Sequence, residues 1–337
     1  MSLIELKHLT KSYGSVQALN GLTLNVPKGS LYGLLGPNGS GKTTTLRIIS
    51  TLLAPDSGQV IVSGLDALTS AKDVRRVIGY VAQEVAIDKI LTGRELLELH
   101  GDLYHLPFTQ RNIRIKELIE RLDMIDWIDR RSGSYSGGMK RRLDLAAGLL
   151  HKPKLLILDE PTAGLDIESR SVVWDFLKEL RNQGITILLS SHYLEEIDSL
   201  ADQIAIIDYG KVIAEGTPDT LKEKLGRARI TLKVNEFSNK DEAEKVKNCV
   251  LSVKGVRKAI INSSQGFSLN LFVETSEVIS TLRKTLKEEG FGIFALSESR
   301  PSLDDVYLET TGKTIMDAEL EMAGTRNLKN EAKKSMR

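Results

Sequence analysis

The sequence predicts an α/β fold with a helical insertion, followed by a smaller α+β domain. Three observations predict it. Short apolar runs separated by helical stretches fill the first 225 residues, strand character is missing from about 88 to 150, and the order after 225 reads β-α-β-β-α-β. A length of 337 residues accommodates two such domains.

The strand runs of the first domain are LIELKHL (3–9), LTLNV (22–26), LYGLLG (31–36), QVIVS (59–63), VIGYVA (77–82), LLILDE (155–160), ITILLSS (185–191) and QIAIID (203–208). Several are apolar on both faces, as buried parallel strands are. In the insertion, GRELLELHGDLYHL and RIKELIERLDMIDWI carry apolar residues three and four apart, the mark of amphipathic helices.

After residue 225 the expected elements are strand 230–234, helix 241–253, strand 256–262, a turn at SSQG, strand 267–273, helix 277–290 and strand 291–297. This is a ferredoxin-like order. It gives a domain organisation of 1–225 (with the helical subdomain at about 88–150), 226–313, and a flexible or helical tail over 314–337, which has no aromatic and mixed charge.

With 46 Lys and Arg against 45 Asp and Glu, the net charge of +1 supplies no field that would gather nucleic acid, so none is expected as a partner. The single cysteine, Cys249, has no disulfide partner in the chain and no metal-ligand spacing. It reads as a small, half-buried apolar residue of a protein in a reducing compartment. No apolar run approaches the eighteen or so residues of a membrane span and the N-terminus lacks a signal-peptide core, so a membrane role is expected to come through another polypeptide.

The stretch LYGLLGPNGSGKTTTLRII places G-x-x-x-x-G-K-T between an apolar strand and an amphipathic helix, the context this phosphate loop needs. Gly36, Gly39 and Gly41 let the chain wrap round a phosphate with backbone N–H groups pointing inward at a helix N-terminus, which makes Gly36, Pro37, Asn38, Gly39, Ser40, Gly41, Lys42, Thr43 and Thr44 the expected phosphate loop. Lys42 suits the outer phosphates of a nucleotide, and the Thr43 hydroxyl suits a magnesium ion. Asp159 and Glu160 end the strand LLILDE, where ligands of open parallel sheets bind. Adjacent residues of a strand point to opposite sides, which assigns Asp159 to magnesium and Glu160 to the attacking water. At this point kinases, small GTPases and other nucleotide hydrolases all remain open.

The stretch SYSGGMKRRLDLAAGLL (134–150) opens a helix at Ser136, a natural N-cap, with Gly137 and Gly138 behind it. Met139, Leu143, Ala147 and Leu150 make its apolar stripe, and Lys140, Arg141 and Arg142 are expected on the wetter side. Its N–H groups and hydroxyl suit an anion. Around it stand Gln83 in GYVAQE, Gly164-Leu165-Asp166, and His192 in LLSSHYLEE. His192 is placed to hydrogen-bond a terminal phosphate or a water beside Glu160. Tyr13 in KSYGSVQAL presents a ring that either packs or stacks on a base.

In this order the elements resemble the ATP-binding-cassette (ABC) family over about residues 2–220. The resemblance implies a P-loop nucleotide-hydrolase cassette with a mixed sheet core, ATP and Mg2+ as cofactors, and Gln83 near magnesium. It further implies that Tyr13 stacks on adenine and that Asp166 lies in the nucleotide interface. Ser136, Gly137 and Gly138 then cap the γ-phosphate held by a second cassette, a homodimer being the simplest pair. Tyr135 stands where the family's signature commonly has leucine, and Met139 where glutamine is frequent.

A single cassette, with too little chain between Thr43 and Tyr135 for a long coiled coil, points to the motor subunit of a transporter. Its transmembrane permease is then a separate chain, and the subunit sits on the cytoplasmic face of the membrane. The stretches ILTGRELLELHGDLYHL, SHYLEEIDSLADQIAIIDYGKVIAEGTP and RPSLDDVYLETTGK are similar to the daunorubicin-resistance type of drug exporters. Sodium, lipid and polysaccharide exporters, and soluble ABC ATPases acting on macromolecules, are the alternatives.

Overall fold

A computed structural model describes residues 2–84, 87–235, 239–263 and 265–321. The chain divides into two compact units, Met1–Val212 and Ile213–Arg337.

The first unit starts with β1 (Ser2–Tyr13), β2 (Val16–Pro27) and β3 (Leu31–Leu35), then α1 (Lys42–Ile49), β4 (Ser57–Val62), β5 (Leu65–Asp66), α2 (Ala71–Val77) and β6 (Ile78–Val81). The inserted segment holds α3 (Gly93–Leu103), α4 (Phe108–Arg121), a short 3-10 turn over Ser132–Ser134, and α5 (Gly137–Leu149). The chain returns through β7 (Leu155–Asp159), α6 (Ile167–Asn182), β8 (Thr186–Ser191), α7 (Leu194–Leu200), β9 (Gln203–Asp208) and β10 (Lys211–Gly216).

These strands form two sheets, with orders β2-β1-β4-β5 and β10-β9-β3-β8-β7-β6. In the first sheet the pairings are antiparallel. In the second, β9-β3-β8-β7-β6 pair in parallel. The run apolar on both faces explains the difference: β3, β7 and β8 are buried at every position and need cover on both sides. The eight expected strands are present, extended at β1 and β2, while β5 and β10 were not foreseen.

The second unit contains α8 (Pro218–Leu225), β11 (Ala228–Lys233), α9 (Lys240–Leu251), β12 (Val256–Asn262), β13 (Ser268–Val273), α10 (Val278–Glu288), β14 (Ala295–Ser299) and α11 (Leu303–Thr311). Its sheet order is β12-β13-β11-β14 with antiparallel pairings, the ferredoxin-like arrangement. The last strand lies further along than the expected 291–297. Phe291 and Ile293 pack on the core before the strand begins, and β14 is an edge strand bonded to β11 alone. The polar element RPSLDDVYLETTGK becomes α11, pinned through Asp305, which accepts from Arg229 Nη1 at 2.8 Å and from Asn270 Nδ2 at 3.2 Å. Residues 315–321 are helical, and the rest of the expected tail lies outside the described residues.

The two departures from the common signature have local physical roles. Tyr135 is 4% exposed, and its hydroxyl lies 3.0 Å from the carbonyl oxygens of Trp127, Ile128 and Arg130. The same oxygen accepts from Gly93 N–H at the start of α3 at 3.1 Å, and the ring meets Trp127 edge-on at 4.8 Å. Gly93 has to be glycine: a Cβ there would lie 2.7 Å from the Tyr135 hydroxyl. Met139 offers its sulfur to Ser136 N–H at 3.5 Å, where a glutamine amide oxygen would otherwise close the capping box.

Tyr135 therefore joins the signature to the entrance of α3. Tyr135→Phe removes the acceptor of a buried N–H and is expected to cost about 1–3 kcal/mol, read as a lowered thermal midpoint; an unchanged midpoint would contradict this role.

Candidate nucleotide site

Parallel strands carry their C-terminal ends to one edge of the sheet, and here β3, β7 and β8 deliver three different functions to that edge. β3 runs into the glycine loop and α1. Gly41, the residue before α1, has φ of 114°, and a Cβ there would sit 2.7 Å from the Ala18 carbonyl oxygen. A Cβ on Gly36 would meet the Ile207 carbonyl oxygen at 2.2 Å. Both positions exclude side chains, so the loop presents main-chain N–H groups.

Lys42 is 4% exposed and donates to the carbonyls of Gly36 at 2.7 Å and Pro37 at 3.1 Å, which arches it back over the loop. The Ser40 hydroxyl is fully buried without a hydrogen-bond partner, a polar atom that a phosphate oxygen would satisfy. The cradle fits a phosphate chain on these grounds.

At the end of β7, Asp159 Oδ1 accepts from Thr43 Oγ1 at 3.1 Å and from Ser190 Oγ, on β8, at 2.6 Å. Among the described residues no three His, Cys, Asp or Glu side chains group to hold a metal by themselves. The Thr43 hydroxyl and the Asp159 carboxylate, 3.1 Å apart, are oxygen donors of the kind a hard ion takes when waters and phosphate oxygens complete its shell.

Glu160 is non-glycine yet has φ of 49°, a left-handed conformation that costs on the order of 1–3 kcal/mol. The turn is held by its N–H donating to Ser190 Oγ and O, both at 3.1 Å, and by its carbonyl accepting from Arg141 Nη2 at 3.2 Å. The carboxylate then lies between two predicted partners: Gln83 Nε2 donates to Oε2 at 2.9 Å, and His192 Nδ1 is 3.1 Å from Oε1. Burial pushes this carboxyl up, but the His192 and Gln83 hydrogen bonds and the Lys42 charge outweigh burial and hold it below its ordinary value. Glu160 is thus ionised near neutral pH, able to accept a hydrogen bond from water.

Ser136 caps α5, accepting from Met139 N–H at 3.2 Å, and it is exposed, so its hydroxyl can still donate to a group in solvent. Gly137 has open space around it, whereas a Cβ on Gly138 would lie 2.4 Å from Ser169 Oγ. Asp166 caps α6 by accepting from Ser169 N–H at 2.8 Å and from Ser169 Oγ at 3.0 Å. Ser169 therefore brings the mouth of α5 against the Asp166 loop. Tyr13 ends β1 with its side chain 48% exposed, as a stacking ring requires.

One placement differs from the sequence pattern. Arg141 was assigned to the wetter side of α5, yet it is 2% exposed and points inward. Helical periodicity reads hydrophobicity, and a guanidinium buried for its hydrogen bonds violates that rule without disturbing the repeat. Ser190 and Ser169 were also not foreseen, since a lone serine in a strand or helix carries no motif.

Residues 19–163 match the family model described as ABC transporter, and residues 216–311 match that of the DrrA1-3-like ATP-binding protein C-terminal domain. The chain is 43% identical over 302 residues to the daunorubicin resistance ATP-binding protein DrrA3 of Streptomyces coeruleorubidus, covering 90% of this chain and 93% of that protein. It is 32% identical to the linearmycin resistance ATP-binding protein LnrL of Bacillus subtilis, covering 94% and 100%. Among solved structures, an ATP-binding subunit of an ABC transporter aligns with a TM-score of 0.61 at 29% identity, over 66% of this chain and 93% of that one. The dimeric bacterial cassette MJ0796 aligns with a TM-score of 0.59 at 27% identity, over 64% and 98%. The chain belongs to the ABC transporter ATP-binding proteins, in their daunorubicin-resistance branch.

Proposed function

We propose that this chain is the ATP-hydrolysing motor of an exporter whose permease is a separate polypeptide, and that its cargo is a drug or another hydrophobic compound. The observation that carries the motor reading is Glu160, held ionised between Gln83 and His192 beside Asp159, whose carboxylate accepts from Thr43 at the start of α1. The names of the resistance proteins that align over nearly the whole chain support the cargo class. Among the described residues no helix is long and apolar enough to cross a membrane. In this reading the cassette runs to about residue 225, and 226–313 is an accessory domain.

Gly36 to Thr44 bind the phosphates, with Lys42 turning from its carbonyls to the outer charges, and Tyr13 takes the base. Thr43, Asp159 and Gln83 would hold magnesium, which when bound neutralises phosphate charge. Glu160 orients a water and accepts its proton, while His192 fixes the carboxylate through Nδ1–H and, once its ring is doubly protonated, donates from Nε2 toward the departing phosphate. Ser136, Gly137 and Gly138 face the γ-phosphate of a second copy, so two chains close around two nucleotides. Closure draws on Gln83, which enters the helical insertion, to pass motion to the permease.

Glu160→Gln is expected to bind ATP as wild type, to lose at least ~100-fold in turnover, and to accumulate as an ATP-bound dimer in gel filtration; turnover at the wild-type rate would refute the assignment. Ser136→Arg is expected to leave ATP affinity of the monomer unchanged while hydrolysis stops. Weakened ATP binding by the monomer would instead place Ser136 at the chain's own nucleotide.

A further inference from the structure

Arg141 lies one and a half turns inside α5, with its side chain 3% exposed. Its Nη1 donates to the Ala82 carbonyl at 2.6 Å, and its Nη2 to the carbonyls of Gln83 at 3.0 Å and Glu160 at 3.2 Å. The nearest carboxylate, Asp144, is 3.6 Å from Nη1 and is itself lifted to about 6 by burial. Three main-chain carbonyls at 2.6–3.2 Å, closer than the 3.6 Å ion pair to Asp144, hold this guanidinium. A planar fork of donors suits that task, because it can meet two strands of backbone at once.

The two carbonyls that share Nη2 belong to the residues whose side chains meet at 2.9 Å. One guanidinium thus fixes the main chain at both ends of the Gln83–Glu160 pair. Five residues earlier on the same helix stands Ser136, about 7–8 Å along the axis at the usual rise. A helical turn is a rigid element that can carry coupling over that distance.

We propose that Arg141 is a positioning residue that ties the Ser136 mouth to the Gln83–Glu160 pair of the same chain, so that a partner's γ-phosphate in the mouth sets the carboxylate serving the chain's own nucleotide. The proposal rests on the two-cassette reading given above. It makes hydrolysis at the two sites interdependent through a side chain that touches neither nucleotide.

The test uses full-length Arg141→Lys and Arg141→Gln. Lysine keeps the charge but its single nitrogen cannot span the three carbonyls, and it guards against misfolding of the glutamine variant. In both, kcat is expected to fall at least ~10-fold while KM for ATP changes less than ~2-fold, and the Hill coefficient for ATP to drop toward one. In the nucleotide-free protein, hydrogen exchange is expected to quicken at least ~5-fold in peptides covering 78–84 and 155–163, and not in β9 or the second unit.

Wild-type kcat and Hill coefficient in folded Arg141→Lys, or unchanged exchange in both peptides, would overturn the proposal. Measuring Glu160→Gln alongside separates the two readings. An inactive Glu160→Gln beside a wild-type Arg141→Lys defeats only the Arg141 link, whereas an active Glu160→Gln defeats the motor reading itself.

Discussion

Parallel pairing of β3, β8 and β7 is the constraint on which the rest depends. Register matches Leu35 to Ser191 and Asp159 to Ser190, so the glycine loop, the acidic pair and the histidine turn emerge at a common edge. Had any of these strands run antiparallel, its terminal residues would lie at the opposite end of the sheet. Burial enforces the arrangement: these strands are buried at every position, and Tyr32, Leu34, Leu155, Ile157 and Leu188 share one core with the first sheet and α1.

At that edge a strained residue is held by a network of weak bonds. Glu160 adopts a left-handed turn because its N–H is captured by Ser190 and its carbonyl by Arg141. The turn redirects its carboxylate from the strand direction toward Gln83 and His192. Strain of this sort persists when surrounding contacts over-determine a conformation, and here the contacts come from β8, α5 and the residues after β6. The position of this carboxylate therefore depends on elements far apart in sequence.

The mouth of α5 has the complementary character. Its inner parts are pinned: Tyr135 to the turn before it and to α3, Gly138 against Ser169, and Arg141 to the sheet edge. Ser136 itself is exposed and fulfils a cap with its acceptor while keeping its donor available. A rigid scaffold with an exposed donor is what capture of a second molecule's phosphate requires, since little entropy is then lost on closure.

The sequence by itself determined the phosphate loop, the acidic strand end, the signature helix and both domain types, because each has a periodicity or a spacing fixed by local geometry. The spacing of the phosphate-loop motif, the cap at Ser136 and the β-α-β-β-α-β order need only neighbours in the chain to be intelligible. Only the tertiary structure decided that Arg141 turns inward, that Ser190 joins Thr43 through Asp159, that Tyr135 fastens Gly93, and where β14 begins. Those choices balance burial of polar groups against hydrogen bonds to partners tens of residues away, and that balance leaves no periodic trace in the chain.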